Sequence, residues 1–218
     1  MPGQNLSSFT ERVALVTNGA HGIGRAVSMQ LALAGAYIVA HYEAADESSA
    51  HVIRQLEEIG TLGRGVAGDI TTQAGAAAVV AQVEAIYGRL DMLVNVSQTV
   101  AATAFGDLSE TAWRDVLANN LSSAFCCAQA ALTLLRARPS PCVVNVMPEM
   151  SGAAGVAARA GLVGLTQHLA VELAPRVRVN GVTVQGQPPA DEPARACYYL
   201  LSAEAKFLTG QILTVKER

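Results

Sequence analysis

The sequence predicts an α/β fold, a doubly wound parallel sheet covered by helices on both faces in three α/β/α layers, as a single domain. Three observations predict it. Short β-branched runs alternate with longer Ala- and Leu-rich segments whose apolar residues recur at helical spacing. Several of those runs are almost wholly apolar, as strands covered on both faces must be. Finally, 218 residues, 51% of them hydrophobic, can bury a substantial core and fit one large domain better than two small ones.

The elements follow in strict alternation. VALVT (13–17) is the first strand, and TNGAHGIG leads from it into a helix over 22–34 that Gly35 closes. AYIVAHY (36–42) is the second strand; Asp46 then stands as an N-cap before a helix over 46–59, and Gly60 ends it. RGVAGD (64–69) precedes a helix over 72–87, and LDMLVNV (90–96) precedes a long helix over 110–137. CVVNVM (142–147) leads to a helix over 153–174, which Pro175 stops. RVRVNGVTV (176–184), a helix over 191–202 and QILTV (211–215) complete the order. No sizeable linker, low-complexity tract or internal repeat interrupts it. Residues 1–10 read as a loose N-terminal tail before a domain over 11–218.

Composition narrows the function classes. The net charge of -3 comes without any basic stripe, which argues against a nucleic-acid partner. No apolar run is long enough to span a bilayer, and the start, MPGQNLSSFTERVALVT, lacks the basic and apolar regions of a signal peptide, so a cytoplasmic protein with no membrane partner is expected. Cys126, Cys127, Cys142 and Cys197 have neither metal-ligand spacing nor a CxxC motif and read as small core or interface residues, so no metal is expected.

A strand feeding a glycine-rich turn and then a helix lets backbone N–H groups and a helix N-terminus receive a pyrophosphate. TNGAHGIG occupies that place in the first β–α turn. With GDIT, YGRLDMLVN, AWRDVLANNLSSAF, AGLVGLTQHLAVELAP, VRVNGV and FLTGQIL in order behind it, the chain resembles the short-chain dehydrogenase/reductase family over nearly its whole length. It looks most like the 3-oxoacyl-acyl-carrier-protein reductase branch, which has a Rossmann-like fold. The resemblance implies NADP(H) or NAD(H) as cofactor. It implies Gly22, Ile23 and Gly24 at the phosphates, flanked by Asn18 and His21, with Asp69 and Ile70 at the adenine and Asn95 at the end of the fourth strand. Asn120 would support a proton-relay water, and Arg159 would contact a ribose or phosphate. From the residues alone, Asp69 also fits a cap or turn residue, Asn120 a polar residue lodged in a helix, and His21 an exposed turn residue. The helices over 110–137 and 153–174 would supply the faces of a homo-oligomer, dimer or tetramer, or of a hetero-oligomer with an active homologue.

The departures from that family's pattern are as informative. Asn18 replaces a glycine, and Asn95, Val96, Ser97 and Gln98 stand for Asn-Asn-Ala-Gly. No Asp ends the second strand, where Tyr42 and then Glu43 fall; His21 and Arg25 are the nearest basic candidates for a 2′-phosphate, so NADP(H) is the favoured dinucleotide. Pro148 falls at the family's catalytic Ser, Gly155 at its Tyr and Arg159 at its Lys, across a shortened loop. A Tyr of pKa ~10 needs a neighbouring cation to work near neutrality; here the cation has no phenol to tune. Losing such a proton donor removes a contribution of typically ~10²–10⁴ in rate. Ser151, Glu149 and His168 are the nearest groups in sequence, with Ser151 closest to the expected pocket and His168 directed towards an interface or solvent. The connection QGQPPA is short and leaves little material for a lid. The expectation is a pseudoenzyme: oxidoreductase-like, without catalytic residues of the usual kind, with dinucleotide binding weak or lost, acting as a structural or regulatory oligomer subunit. The alternative is an active NAD(P)H-dependent oxidoreductase, a 3-oxoacyl or other carbonyl reductase with altered catalytic residues.

Overall fold

The four residues of β1 (Val13–Val16) are fully buried, as a strand with neighbours on both edges and helices on both faces requires. β1 belongs to a computed structural model that describes residues 9–98 and 100–217. The other strands are β2 (Tyr37–Tyr42), β3 (Arg64–Ala67), β4 (Met92–Val96), β5 (Cys142–Met147), β6 (Arg178–Gln185) and β7 (Ile212–Lys216). All pair in parallel in the order β3-β2-β1-β4-β5-β6-β7. Strand order reverses between β1 and β4, which opens a crevice at their C-terminal ends. Among the described residues the α-helices are α1 (Gly22–Leu33), α2 (Glu47–Glu58), α3 (Gln73–Tyr87), α4 (Glu110–Leu117), α5 (Ser123–Arg136), α6 (Gly152–Glu172) and α7 (Asp191–Leu201).

Alternation along the strands sends Ala14, Val16, Ile38, Val94 and Val144 to a core beneath α1, α2 and α7. Val13, Leu15, Val39, Leu93 and Val143 go to the core on the other face, beneath α3, α5 and the end of α6. A third cluster, around Ala124, Met147, Met150, Ala158 and Leu162, sits at the C-terminal end of β5. Helix signals act as read: Asp46 accepts the Ser49 N–H at 2.7 Å while the Ser49 hydroxyl takes the Asp46 N–H, a reciprocal cap. The four cysteines are buried free thiols; burial pushes those of Cys127 and Cys197 up to about 12 and that of Cys142 up to about 11. Among the described residues no His, Cys, Asp and Glu cluster could hold a metal, and no helix is long and apolar enough to cross a membrane.

Two details differ from the sequence expectation. The helix expected over 110–137 is divided by a π-helical turn, Ala118–Ser122. Here side chains bond to carbonyls four residues back, Asn119 to Asp115 and Asn120 to Val116, each at 2.9 Å, and loosen the regular ladder. The tail expected to be loose through Thr10 is anchored earlier, because Phe9 is fully buried, meets Tyr198 edge-on at 5.2 Å and donates its N–H to the Ala34 carbonyl. Residues 1–8 of that tail lie outside the described residues.

At the N-terminal ends of the central strands, the buried Asp91 carboxylate accepts the Val13 N–H at 2.9 Å, the Arg89 guanidinium at 2.8 and 2.9 Å, and Arg138 Nε at 3.0 Å. Burial opposes its ionisation, but the bonds from Arg89, Val13 and Arg138 prevail and hold the carboxyl below its ordinary range. A folded-state pKa below the unfolded one gives stability that is complete above the unfolded value and lost as pH falls through the folded value. Thermal melts should therefore show this contribution declining below pH ~4. Asp91→Asn should cost about 2–3 kcal/mol at neutral pH, the scale of hydrogen bonds to charged groups, since both guanidinium groups still reach solvent.

Candidate functional site

The crevice is built on the turn after β1. The Thr17 hydroxyl accepts the Val96 N–H at 2.8 Å and its N–H reaches the Val94 carbonyl at 2.9 Å, so the turn leaves the sheet in fixed register with β4. Asn18 follows at φ 50°, a left-handed geometry that Asn tolerates better than most residues. Its N–H donates to Nδ1 of His41 at 3.4 Å, and its side-chain Nδ2 donates to the Val96 carbonyl at 2.6 Å. Gly24 packs directly on this turn: a Cβ there would lie 2.1 Å from the Asn18 carbonyl oxygen. Gly22 has the opposite surroundings, with nothing within 4 Å of where a Cβ would stand, so it faces open space at the start of α1.

The helix-capping side chain is absent at that start. His21 is the N-cap and makes no capping bond, and the first turn holds no acid, so the leading N–H groups, Ile23 among them, look outward with the positive end of the helix dipole. His21 itself is exposed, 3.7 Å from the Asp46 carboxylate, as an exposed turn residue would be. Arg25 is turned to Gln55 on α2, with contacts of 2.8 and 3.2 Å. Between α1 and α2 runs an open groove of about 470 Å³ lined by His21, Gly22, Arg25, His51 and Arg54 among others.

On the far side of the turn, Asp69 is a turn residue. Its Oδ1 accepts the Thr71 hydroxyl at 2.6 Å and the Thr71 N–H at 2.8 Å, bonds that hold its carboxyl below the ordinary range. With the buried Ile70, and with Asn18, His41, Gln98 and Ser123, it lines a cavity of about 20 Å³. His41 was not anticipated from sequence. It is buried at the end of β2, and since Nε2 faces the Gly68 carbonyl at 2.8 Å, that nitrogen carries the proton and Nδ1 is free to accept from Asn18. Burial lowers its pKa and keeps this neutral form. A histidine closing an otherwise apolar strand is the only signal the sequence offers for it.

Two asparagines expected near a cofactor and its relay water are engaged within the protein. Asn95 donates to Asn145 at 2.9 Å, Asn145 to the Thr166 hydroxyl at 2.8 Å, and Thr166 to the Leu162 carbonyl at 2.7 Å, a polar chain running from β4 through β5 into α6. Asn95 is 3% exposed and its Oδ1 has no partner among the described residues. Asn120, 2% exposed in the π turn, accepts the Gln98 N–H at 2.7 Å on Oδ1 and gives Nδ2 to Val116. Its carbonyl accepts the Ser97 hydroxyl at 3.2 Å.

Where the resemblance puts a proton donor, the packing is close. Gly155 is buried on α6, and a Cβ there would come within 3.2 Å of the Met150 carbonyl carbon, Met150 Cβ and Val100 Cβ. Val100 and Met150 form a parallel bridge that joins the loops after β4 and β5, with the Ser151 N–H on the Val100 carbonyl at 2.9 Å. Pro148 is buried, and the Glu149 carboxylate accepts the Gly186 N–H at 3.0 Å, tying this loop to the connection before α7. Ser151 is half-buried at the N-cap of α6 without a capping bond. Arg159, one turn beyond Gly155, is half-buried and makes no hydrogen bond or ion pair with the described residues. His168 lies at the surface, paired with Glu172 at 3.1 Å. The Val100–Met150 bridge left no mark in the sequence, because nothing local signals a pairing across fifty residues.

Gly155→Ala should lower stability by up to about 2 kcal/mol, because overpacking of about 1–3 kcal/mol against Met150 and Val100 exceeds the roughly 1 kcal/mol that alanine gains over glycine inside a helix. Thermal denaturation reads this directly. Pro148→Ser, Gly155→Tyr and Arg159→Lys combined should lower the melting temperature further and produce no NADPH-dependent ketone reduction.

Comparison with known proteins agrees with this architecture. The family model described as short chain dehydrogenase matches residues 12–186. The 3-oxoacyl-[acyl-carrier-protein] reductase FabG of Escherichia coli is 30% identical over 240 aligned residues, covering 95% of this chain and 97% of the relative. That of Staphylococcus aureus is 30% identical over 239, covering 93% and 95%. Both alignments are longer than the 218-residue chain, so the relatives carry segments that it lacks. Among solved structures, the citronellol catabolism dehydrogenase AtuB of Pseudomonas aeruginosa superposes with a TM-score of 0.88 at 26% identity, over 96% of this chain and 95% of that one. Acetoin dehydrogenase from Enterobacter cloacae gives 0.87 at 26% identity, over 95% and 94%. The strand order, the glycine turn at the β1–β4 crevice and these matches together make the chain a member of the short-chain dehydrogenase family.

Proposed function

We propose that this family member has kept the doubly wound fold and given up the standard carbonyl reduction, serving as a structural or regulatory subunit. The observation that carries the reading is the close packing around Gly155, where an added Cβ would already stand 3.2 Å from atoms of Met150 and Val100, tighter than most such contacts. Pro148 and Gly155 have no side-chain proton to give, and the Asn120 carbonyl is engaged by Ser97. Proton transfer needs a positioned group within hydrogen-bond reach, and none of the expected ones is there.

On this reading a nicotinamide dinucleotide, NADPH or NADH, binds weakly or not at all. Gly22, Ile23 and Gly24 keep the helix start that would receive its diphosphate, while Asn18 and Gln98 add side chains to the pocket beside Asp69 and Ile70. The subunit would work in the cytoplasm as a dimer or tetramer, or beside an active homologue, through α5 and α6. Phe125, 40% exposed, and Val156, 50% exposed, support that choice of faces. The second reading, an active NAD(P)H-dependent carbonyl reductase with altered residues, is favoured by likeness to the FabG reductases over 93–95% of the chain and by the uncommitted Ser151 at the start of α6.

Calorimetric titration with NADPH and NADH, followed by turnover of a β-ketoacyl thioester, separates the two. No saturable binding below millimolar concentration and no NADPH oxidation are expected. Micromolar binding with turnover that Ser151→Ala abolishes would establish the second reading instead.

A further inference from the structure

We propose that Asn18 is a built-in strap which closes the nucleotide crevice, and that its carboxamide is what sets this crevice against dinucleotides. The inference rests on the reading above, in which dinucleotide binding is weak or lost, and names the residue responsible.

A ligand in the crevice of a doubly wound sheet lies across the C-terminal ends of the two strands at which the order reverses. In this chain those strands are β1 and β4. The Asn18 side chain spans that line, from the turn after β1 to the Val96 carbonyl at the end of β4, at 2.6 Å. To one side lies the open start of α1 at Gly22; to the other lies the 20 Å³ cavity that Gln98 and Ser123 help to line. A diphosphate running from the helix start towards β4 has to displace the strap.

The strap has little freedom to move aside. Its backbone N–H is held by His41, which is itself anchored on Gly68. Its carbonyl lies against Gly24, where a Cβ would have only 2.1 Å, and its φ of 50° is one that few side chains adopt. The backbone is thus constrained from β2 and α1, and the side chain is held on β4 by its bond to Val96. Glycine would keep the backbone geometry at no steric cost while removing the carboxamide.

The test uses ADP-ribose, which crosses the crevice but has no nicotinamide to reach towards Gly155. Calorimetric titration of the full chain is compared with Asn18→Gly and Asn18→Ser, each checked for folding by circular dichroism and thermal melting. Asn18→Gly should bind ADP-ribose at least tenfold more tightly than the unmodified chain, and Asn18→Ser, too short to reach Val96, should gain in the same direction. A folded variant of either kind whose affinity equals that of the unmodified chain overturns the strap. The fate of the previous reading is decided separately: micromolar binding of NADH or NADPH by the unmodified chain overturns the loss of cofactor, whereas the strap is judged only by the ratio between variant and unmodified chain.

Discussion

The register of β1 against β4 is the constraint on which the rest of the molecule depends. It is pinned at both ends. At the start of the strands Val13 and Asp91 exchange bonds, the Val13 N–H to the carboxylate and the Asp91 N–H to the Val13 carbonyl, each at 2.9 Å. At the far end Thr17 takes the Val96 N–H and gives its own to Val94. A one-residue slip would turn every side chain of β1 to the wrong face, so these end clamps protect two cores at once. They also determine where the glycine turn emerges, and hence which groups of α1 and β4 confront each other.

Polar groups inside the sheet follow from that alignment. Asn95 and Asn145 occupy equivalent positions in the β4–β5 register, which brings their amides together and lets the chain of bonds continue to Thr166 on α6. Such a chain is stabilising only while each member has a partner, and Asn95 Oδ1 has none among the described residues. Arg178 plays a comparable part at the other end of the sheet, where its guanidinium gathers the carbonyls of Leu200 and Ala205 at 2.8 and 3.0 Å and closes the C-terminus of α7.

The fold was legible in the sequence because its evidence is local: apolar strands, helical periodicity, Gly35 and Gly60 after helices, Asp46 before one. So was the absence of a hydroxyl at Pro148 and Gly155, which needs only an aligned motif. What escaped was pairing between distant segments. Nothing near Val100 announces Met150, nothing near His41 announces Asn18, and the burial of Phe9 depends on where α1 and α7 come to lie. The π turn escaped for another reason: its cause is the hydrogen bonding of Asn119 and Asn120, whose competition with the helix ladder shows only once their partners are known.

The packing at Gly155 is set by backbone and not by side-chain bulk. The atoms nearest to an added Cβ are the Met150 carbonyl carbon and the Cβ atoms of Met150 and Val100, which every residue except glycine carries. Trimming either side chain would therefore free nothing at this position. The space there is governed by the spacing of the loops after β4 and β5, and their bridge at Val100 and Met150 holds that spacing. A few tenths of an ångström in one backbone pairing thus decide what this point of α6 can carry.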